Sequence, residues 1–92
     1  MNLEMETEDK GAVTVVVVKG DINSATSPEF GRYIKEAIGK SEKSQVVLDM
    51  AGVTFMQTEP AQKLAQLKRD NLRIINCSPF IAALLQTAEN TD

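Results

Sequence analysis

The residues best suited to chemistry lie in the stretch Gln57–Pro60, where an apolar run ends and a helical pattern begins. Thr58 presents a hydroxyl group at the predicted start of that helix. The free N–H groups and the dipole of a helix N-terminus favour a phosphate or a partner's carboxylate there. Thr58 is therefore a candidate phospho-acceptor. The alternative is that its hydroxyl caps the helix by accepting backbone hydrogen bonds.

The composition excludes most other chemistries. The chain has 92 residues, no histidine and a single cysteine, Cys77. A Ser-His-Asp or Cys-His arrangement needs histidine, and zinc or iron–sulfur sites need several histidine or cysteine ligands. The five glycines are dispersed, so no glycine-rich phosphate loop is present. We predict no catalytic residue, no metal site and no cofactor, and we expect that the chain is not an enzyme.

Charge and hydropathy suggest where the chain acts. The net charge is −3, and 42% of the residues are hydrophobic, as in an ordinary globular domain. Because no basic patch stands out, we expect no nucleic-acid partner. No apolar run reaches the length of a membrane span and no signal-peptide pattern opens the chain, so we predict no direct membrane insertion. A lone cysteine suits a reducing compartment, and we predict a cytoplasmic protein.

Hydrophobic periodicity predicts strands that alternate with helices after an N-terminal hairpin. The predicted elements are an edge strand within residues 1–10, a strand at Val13–Val18, a helix starting at Ser27-Pro28, a strand at Val46–Met50, a short apolar step at Val53–Met56, a helix at Pro60–Arg69, a strand at Leu72–Cys77 and a last helix starting at Ser78-Pro79. This order implies right-handed crossovers. The predicted fold is an α/β single domain over residues 1–92, with a mostly parallel central sheet of about four strands, an N-terminal β-hairpin and three helices packed on it.

Several local patterns give sharper expectations. The β-branched run Val13–Val18 predicts a strand buried on both faces. Each Ser-Pro pair predicts a helix whose N-cap is the serine, Ser27 or Ser78. A turn is expected at Ala51-Gly52, and Phe55 and the neighbouring Met56 are expected in the core.

Three segments, in this order and spacing, resemble a STAS domain, the domain of sulfate transporters and anti-sigma factor antagonists. They are Lys19–Ile22, Val47–Phe55 and Leu72–Pro79, and the resemblance extends from about Leu3 to Ala88. It implies a STAS-like fold and a non-enzymatic protein-interaction module. Bacterial members are typically cytoplasmic and bind a serine kinase that is also an anti-sigma factor, or a similar switch kinase, through the loop after the third strand. Phosphorylation of that loop releases the partner.

The resemblance places Thr58 at the phospho-acceptor position. The family loop usually reads Asp-Ser-Ser-Gly, and the matching residues are Gln57, Thr58, Glu59 and Pro60. Gln57 removes a charge, Glu59 adds an anion beside the acceptor, and Pro60 replaces a permissive glycine. We therefore hypothesise a degenerate member that keeps a partner surface but is no longer regulated by phosphorylation.

The resemblance also suggests a partner surface made from two loops. Its candidate residues are Asp21, Asn23, Ser24, Thr26, Gln57, Thr58, Glu59 and Pro60. For the first four, the alternative is turn chemistry, because Asp, Asn and Ser form local hydrogen bonds in such loops.

Three functions follow from these residues and from the resemblance. The first is a partner-switching regulator that binds a kinase or anti-sigma factor. The second is an accessory subunit of a transport ATPase, as in phospholipid-transporting ABC systems. The third is a small-ligand-binding domain. An exposed edge strand leaves both a monomer and a homodimer open.

Overall fold

The computed structural model describes residues 3–40, 45–67 and 71–89. Within these ranges the elements are β1 (Leu3–Asp9), β2 (Val13–Ile22), α1 (Ser27–Lys40), β3 (Gln45–Met56), α2 (Thr58–Leu67), β4 (Leu72–Ile75) and α3 (Pro79–Glu89). Their order is the one that the hydrophobic pattern predicts. The predicted end of the second helix, at Arg69, lies outside the described residues.

The four strands form one mixed sheet in the order β1-β2-β3-β4. β1 and β2 form the predicted antiparallel hairpin, whereas β2, β3 and β4 run parallel. The predicted α/β fold, with its mostly parallel four-stranded sheet and three helices, is therefore confirmed. Because the parallel strands share a direction, the carboxyl ends of β2 and β3 meet at one edge of the sheet.

The core lies between one face of the sheet and the three helices. Strand residues that pair across the register on this face are fully buried, for example Val16 opposite Leu48. Each helix contributes side chains to the same cluster. They include Phe30 and Ile34 from α1, Ala61 and Leu64 from α2, and Ile81 and Leu85 from α3.

The prediction that Val13–Val18 is buried on both faces is wrong. Thr14, Val16 and Val18 are buried, but the alternate residues Val13, Val15 and Val17 are only half-buried. The physical reason is that the three described helices all pack on the face of the even-numbered residues. The other face has no covering layer among the described residues.

The predicted turn at Ala51-Gly52 is also wrong, because β3 continues through it to Met56. In place of a turn, the pairing of β2 with β3 shifts its register here, because Val17 pairs with Asp49 but Lys19 already pairs with Gly52. A side chain at position 52 would meet Lys19 Cγ at 2.6 Å and the Val18 carbonyl oxygen at 3.0 Å. The glycine is needed for this close approach of two strands rather than for a turn.

The helix starts agree only in part with the Ser-Pro pairs. In α3, the Ser78 Oγ accepts a hydrogen bond from the Ile81 N–H at 3.2 Å, so Ser78 is the predicted N-cap. In α1, the Phe30 N–H donates to the Thr26 carbonyl at 3.0 Å, so the cap is Thr26 and the prediction of Ser27 is wrong by one residue. Asn23 accepts hydrogen bonds from the N–H groups of Thr26 and Ser27. These N–H groups therefore do not need Ser27 as a cap, and the helix begins one residue earlier.

Candidate functional site

The candidate site lies where β2 and β3 end. Asp21 pairs with Phe55 and Ile22 with Met56, and the Gln57 N–H donates to the Ile22 carbonyl at 2.9 Å. This hydrogen bond holds the start of α2 beside the loop that follows β2. The fold therefore brings the two predicted halves of the partner surface, residues 21–26 and 57–60, to the same edge of the sheet.

Thr58 is the first residue of α2, which begins two residues earlier than predicted. The Ala61 N–H donates to the Gln57 carbonyl at 3.2 Å, which makes Gln57 the cap residue. The Thr58 side chain is exposed, and its hydroxyl makes no hydrogen bond with any described residue. The alternative role for Thr58, as the residue whose hydroxyl caps the helix, is therefore wrong. The hydroxyl is left available to an incoming group.

The neighbours of Thr58 divide into exposed and buried residues. Gln57 and Glu59 are exposed, whereas Pro60 is among the fully buried side chains. Glu59 lies in the first turn of α2, where a carboxylate interacts favourably with the helix dipole. We call the junction of residues 21–26 with residues 57–60 the corner. Pro60 fills the interior beneath the first turn of α2, so Gln57, Thr58 and Glu59 are the accessible residues on the α2 side of the corner.

The loop after β2 is organised by its own side chains. The Asn23 Oδ1 accepts hydrogen bonds from the N–H groups of Ala25 and Thr26 at 2.9 and 3.1 Å. The Thr26 hydroxyl donates to the Asp21 carbonyl at 2.8 Å and accepts from the Asn23 N–H at 2.9 Å. Asn23 and Thr26 therefore build the turn that leads into α1. Ser24 is exposed at the tip of the loop.

The carboxylate of Asp21 is also engaged within the sheet. Its Oδ1 accepts a hydrogen bond from the Thr54 hydroxyl at 2.6 Å. Asp21 is half-buried. This contact fixes the carboxylate on the β2 side of the corner, so its orientation is set before any partner arrives.

Two exposed aromatic residues flank the corner, and sequence reasoning missed both. Phe55 is 42% exposed and Phe80 is 56% exposed, and they are the exposed large hydrophobic residues of the described chain. Both line one open groove of about 510 Å³, together with Met56, Gln57, Thr58, Glu59 and Leu84. The prediction that Phe55 lies in the core is wrong, whereas Met56, at 1% exposed, is in the core as predicted.

A sequence signal for these aromatic residues did exist. Adjacent strand residues point to opposite faces, so Phe55 and Met56 could not both face the core of a sheet covered on one side. Phe80 lies off the apolar stripe of the last helix, whose buried members are Ile81 and Leu85. Both positions were identifiable as exposed once the covered face was known.

Other kinds of site find no support in the described residues. Among them, no three histidine, cysteine, aspartate or glutamate side chains are grouped as a metal ion would require. Within the same ranges, every helix is too short or too polar to span a bilayer.

Comparisons with solved structures find the same fold in other proteins. One similar solved structure is an anti-sigma factor antagonist from Mycobacterium paratuberculosis, with a TM-score of 0.82 and 20% sequence identity, covering 96% of this chain and 79% of that chain. The structure of the anti-sigma factor antagonist SpoIIAA in its unphosphorylated form has a TM-score of 0.72 and 15% identity, covering 94% of this chain and 81% of that chain. A third structure, of an anti-sigma factor antagonist STAS domain from Rhodobacter sphaeroides, has a TM-score of 0.61 and 20% identity. The match covers 80% of this chain and 86% of that chain.

At these identities the structural likeness shows a common fold and does not transfer a function. The family assignment has a separate basis, because the sequence matches the family model of the STAS domain over residues 4–92. The match includes Lys19–Ile22, Val47–Phe55 and Leu72–Pro79. The chain therefore belongs to the STAS domain family.

Proposed function

We propose that the chain is a non-enzymatic bacterial regulatory module, acting in the cytoplasm, that binds a switch kinase or anti-sigma factor through the corner around Thr58. The observation that carries this proposal is the open groove beside the exposed Thr58, which two exposed phenylalanines line. The fold likeness to anti-sigma factor antagonists supports the same class of partner.

The corner has the features of a small protein-binding surface. Phe55 and Phe80 offer apolar area to a partner, and aromatic side chains often dominate interface energetics. Gln57 and Glu59 form a polar border at the start of α2. The partner surface that fits this corner carries apolar side chains for the groove and a hydrogen-bonding or basic group for Glu59.

Phosphate at Thr58 is poorly accommodated in this proposal. The start of α2 would favour it by about 0.3–1 kcal/mol when exposed. Glu59, the next residue, is an exposed carboxylate that opposes it through like-charge repulsion. We therefore propose that the partner binds unmodified Thr58 and that phosphorylation does not regulate the complex in cells.

The test begins with the wild-type chain as bait in native cytoplasmic and membrane extracts, followed by intact-mass analysis of the recovered chain. Affinity for the purified partner is then measured by calorimetry for Thr58→Ala and Thr58→Asp, with Thr87→Ala on α3 as the matched control. We expect unmodified Thr58, near-wild-type binding by Thr58→Ala and about tenfold weaker binding by Thr58→Asp. If both variants bind like the control, the corner is not the interface.

A second function, an accessory subunit of a transport ATPase, is favoured by Glu59. This residue places a permanent negative charge at the start of α2, whereas a switch depends on a removable one. The same experiment separates the two functions. Stable recovery of an ABC-type ATPase from membranes would favour the accessory subunit, and a cytoplasmic kinase whose binding responds to ATP or ADP would favour the regulator.

A further inference from the structure

The face of the sheet opposite the helices carries an apolar stripe that nothing in the described chain covers. We define this helix-free face by its half-buried aliphatic residues, which are Val13, Val15, Val17, Val47 and Ile75. The register keeps them together, because Val15 pairs with Val47 and the neighbouring Val17 pairs with Asp49, which in turn pairs with Ile75. Parallel sheets are ordinarily covered on both faces, so this stripe is unusual.

One border of the helix-free face is a row of carboxylates on the edge strand β1. Glu4, Glu6 and Glu8 are exposed and lie opposite Lys19, Val17 and Val15, so they share the face of the odd-numbered β2 residues. Residues two apart on a strand are about 7 Å apart. Among the described residues, this row makes one ion pair, the exposed contact of Glu8 with Lys10 at 3.7 Å, and Glu6 in the middle of the row makes none.

Basic residues are few on the same face. Lys19 lies opposite Glu4 at one end of the row, and Arg73 lies on β4 at the far border. Asp49, near the centre, already accepts hydrogen bonds from the Ala51 N–H at 3.0 Å and the Asn76 Nδ2 at 3.1 Å. Apart from Asp49, the middle of the face is therefore apolar, and its β1 border is acidic, with Lys10 and Lys19 at the two ends of the glutamate row.

We propose that the helix-free face docks a basic amphipathic helix of a partner protein over its valine stripe, away from the part of the corner groove that Thr58 and Leu84 line. The apolar side of such a helix covers the valine stripe, and lysine or arginine residues on its flank pair with the glutamate row. Helix residues three or four positions apart are about 5–6 Å from one another, a spacing that long basic side chains can match to the glutamates. Charge complementarity thus selects the occupant.

The same charges disfavour two other occupants. In a face-to-face dimer with a two-fold axis across the strands, β1 would lie over the partner's β1 and the two glutamate rows would repel each other. With the two-fold axis along the strands, β1 would lie over β4 of the second copy. Three glutamates would then face a border that holds one arginine, Arg73. An anionic membrane would be repelled by the glutamate row. A basic amphipathic helix can cover the valine stripe with its apolar side and pair its basic side chains with the glutamate row.

The test uses the full chain and a synthetic helix of about five turns, with leucines on one face and lysines on both flanks. A control peptide replaces every lysine with glutamate. Binding is followed by NMR of the labelled methyl groups. We expect the lysine peptide to shift Val15, Val17, Val47 and Ile75, to leave Leu84 in the corner groove unshifted, and to bind far more tightly than the control peptide.

Matched charge variants make the result specific. Glu4→Gln with Glu6→Gln removes two carboxylates from the row, and Glu29→Gln with Glu36→Gln removes two exposed carboxylates from α1 on the other side of the sheet. The first pair should weaken binding about fivefold and the second pair should have little effect.

Several results would overturn the proposal. These are no binding at millimolar peptide, equal binding of the glutamate peptide, or shifts confined to Leu84 and Met56. Co-sedimentation of the protein with phosphatidylglycerol vesicles would instead identify a membrane surface. A dimer seen by light scattering and dissociated by Val17→Lys would identify a second copy as the occupant.

Discussion

At the scale of the residue, the two exposed phenylalanines are the most informative side chains of the corner. Phe80 is 56% exposed at the start of α3, so its truncation leaves no cavity in the core. We predict that Phe80→Ala weakens the complex with the partner by at least tenfold, as expected for an aromatic anchor, while the melting temperature stays within about 2 °C. Calorimetry and thermal melts measure the two quantities. Gln86→Ala, on another side of α3, is the control, and equal affinity of the two variants would exclude Phe80 from the interface.

A second residue-scale prediction concerns Gly52, where β2 and β3 approach closely. A methyl group there would meet Lys19 Cγ at 2.6 Å and the Val18 carbonyl oxygen at 3.0 Å, so the Lys19 side chain must change its conformation and the backbone of β2 must shift. We expect Gly52→Ala to lower the free energy of unfolding by about 1–3 kcal/mol, measured by urea denaturation. Gly31→Ala in α1 meets nothing within 4 Å and should raise stability by about 0.5–1 kcal/mol. A neutral Gly52→Ala would show that the two strands separate easily.

At the scale of the element, the helix starts show how far local patterns can be trusted. Ser78 caps α3 as predicted because its hydroxyl reaches the Ile81 N–H. The same Ser-Pro pattern fails at Ser27, since Asn23 and Thr26 have already organised the preceding loop through their own hydrogen bonds. A pattern of two residues cannot reveal which of several polar neighbours completes the cap. That depends on where the preceding strand ends.

Ser78 and Ser24 offer a matched test of the cap at the start of α3. Ser78→Ala removes the hydroxyl that accepts from the Ile81 N–H, so we predict a loss of about 1 kcal/mol in the free energy of unfolding. Ser24 is exposed and makes no hydrogen bond with a described residue, so Ser24→Ala should change stability by less than about 0.5 kcal/mol. Urea denaturation measures both. Equal values would mean that the Ser78 hydroxyl contributes no net stability to α3.

At the scale of the whole molecule, the sequence was sufficient for the order of elements but not for their layering. Apolar spacing and turn residues predict the strands and helices one by one, and crossover handedness then predicts a mostly parallel sheet. A run such as Val13–Val18 is equally compatible with one covered face or two. The position of Thr58 at the start of a helix could be predicted from the apolar run before it and the helical pattern after it. The exposure of Phe55, in contrast, depends on which face of the sheet the helices cover.

The one-sided packing of the sheet leads to a prediction that compares neighbouring valines on β2. Val16 is fully buried beneath the helices, whereas Val15 is half-buried on the helix-free face. In a monomer, Val16→Ala should cost about 2 kcal/mol, from lost burial and a residual cavity, and Val15→Ala should cost less than about 1 kcal/mol. Urea denaturation at several protein concentrations measures both. A large, concentration-dependent cost for Val15→Ala would mean that a second copy covers this face, because only an intermolecular contact couples stability to protein concentration.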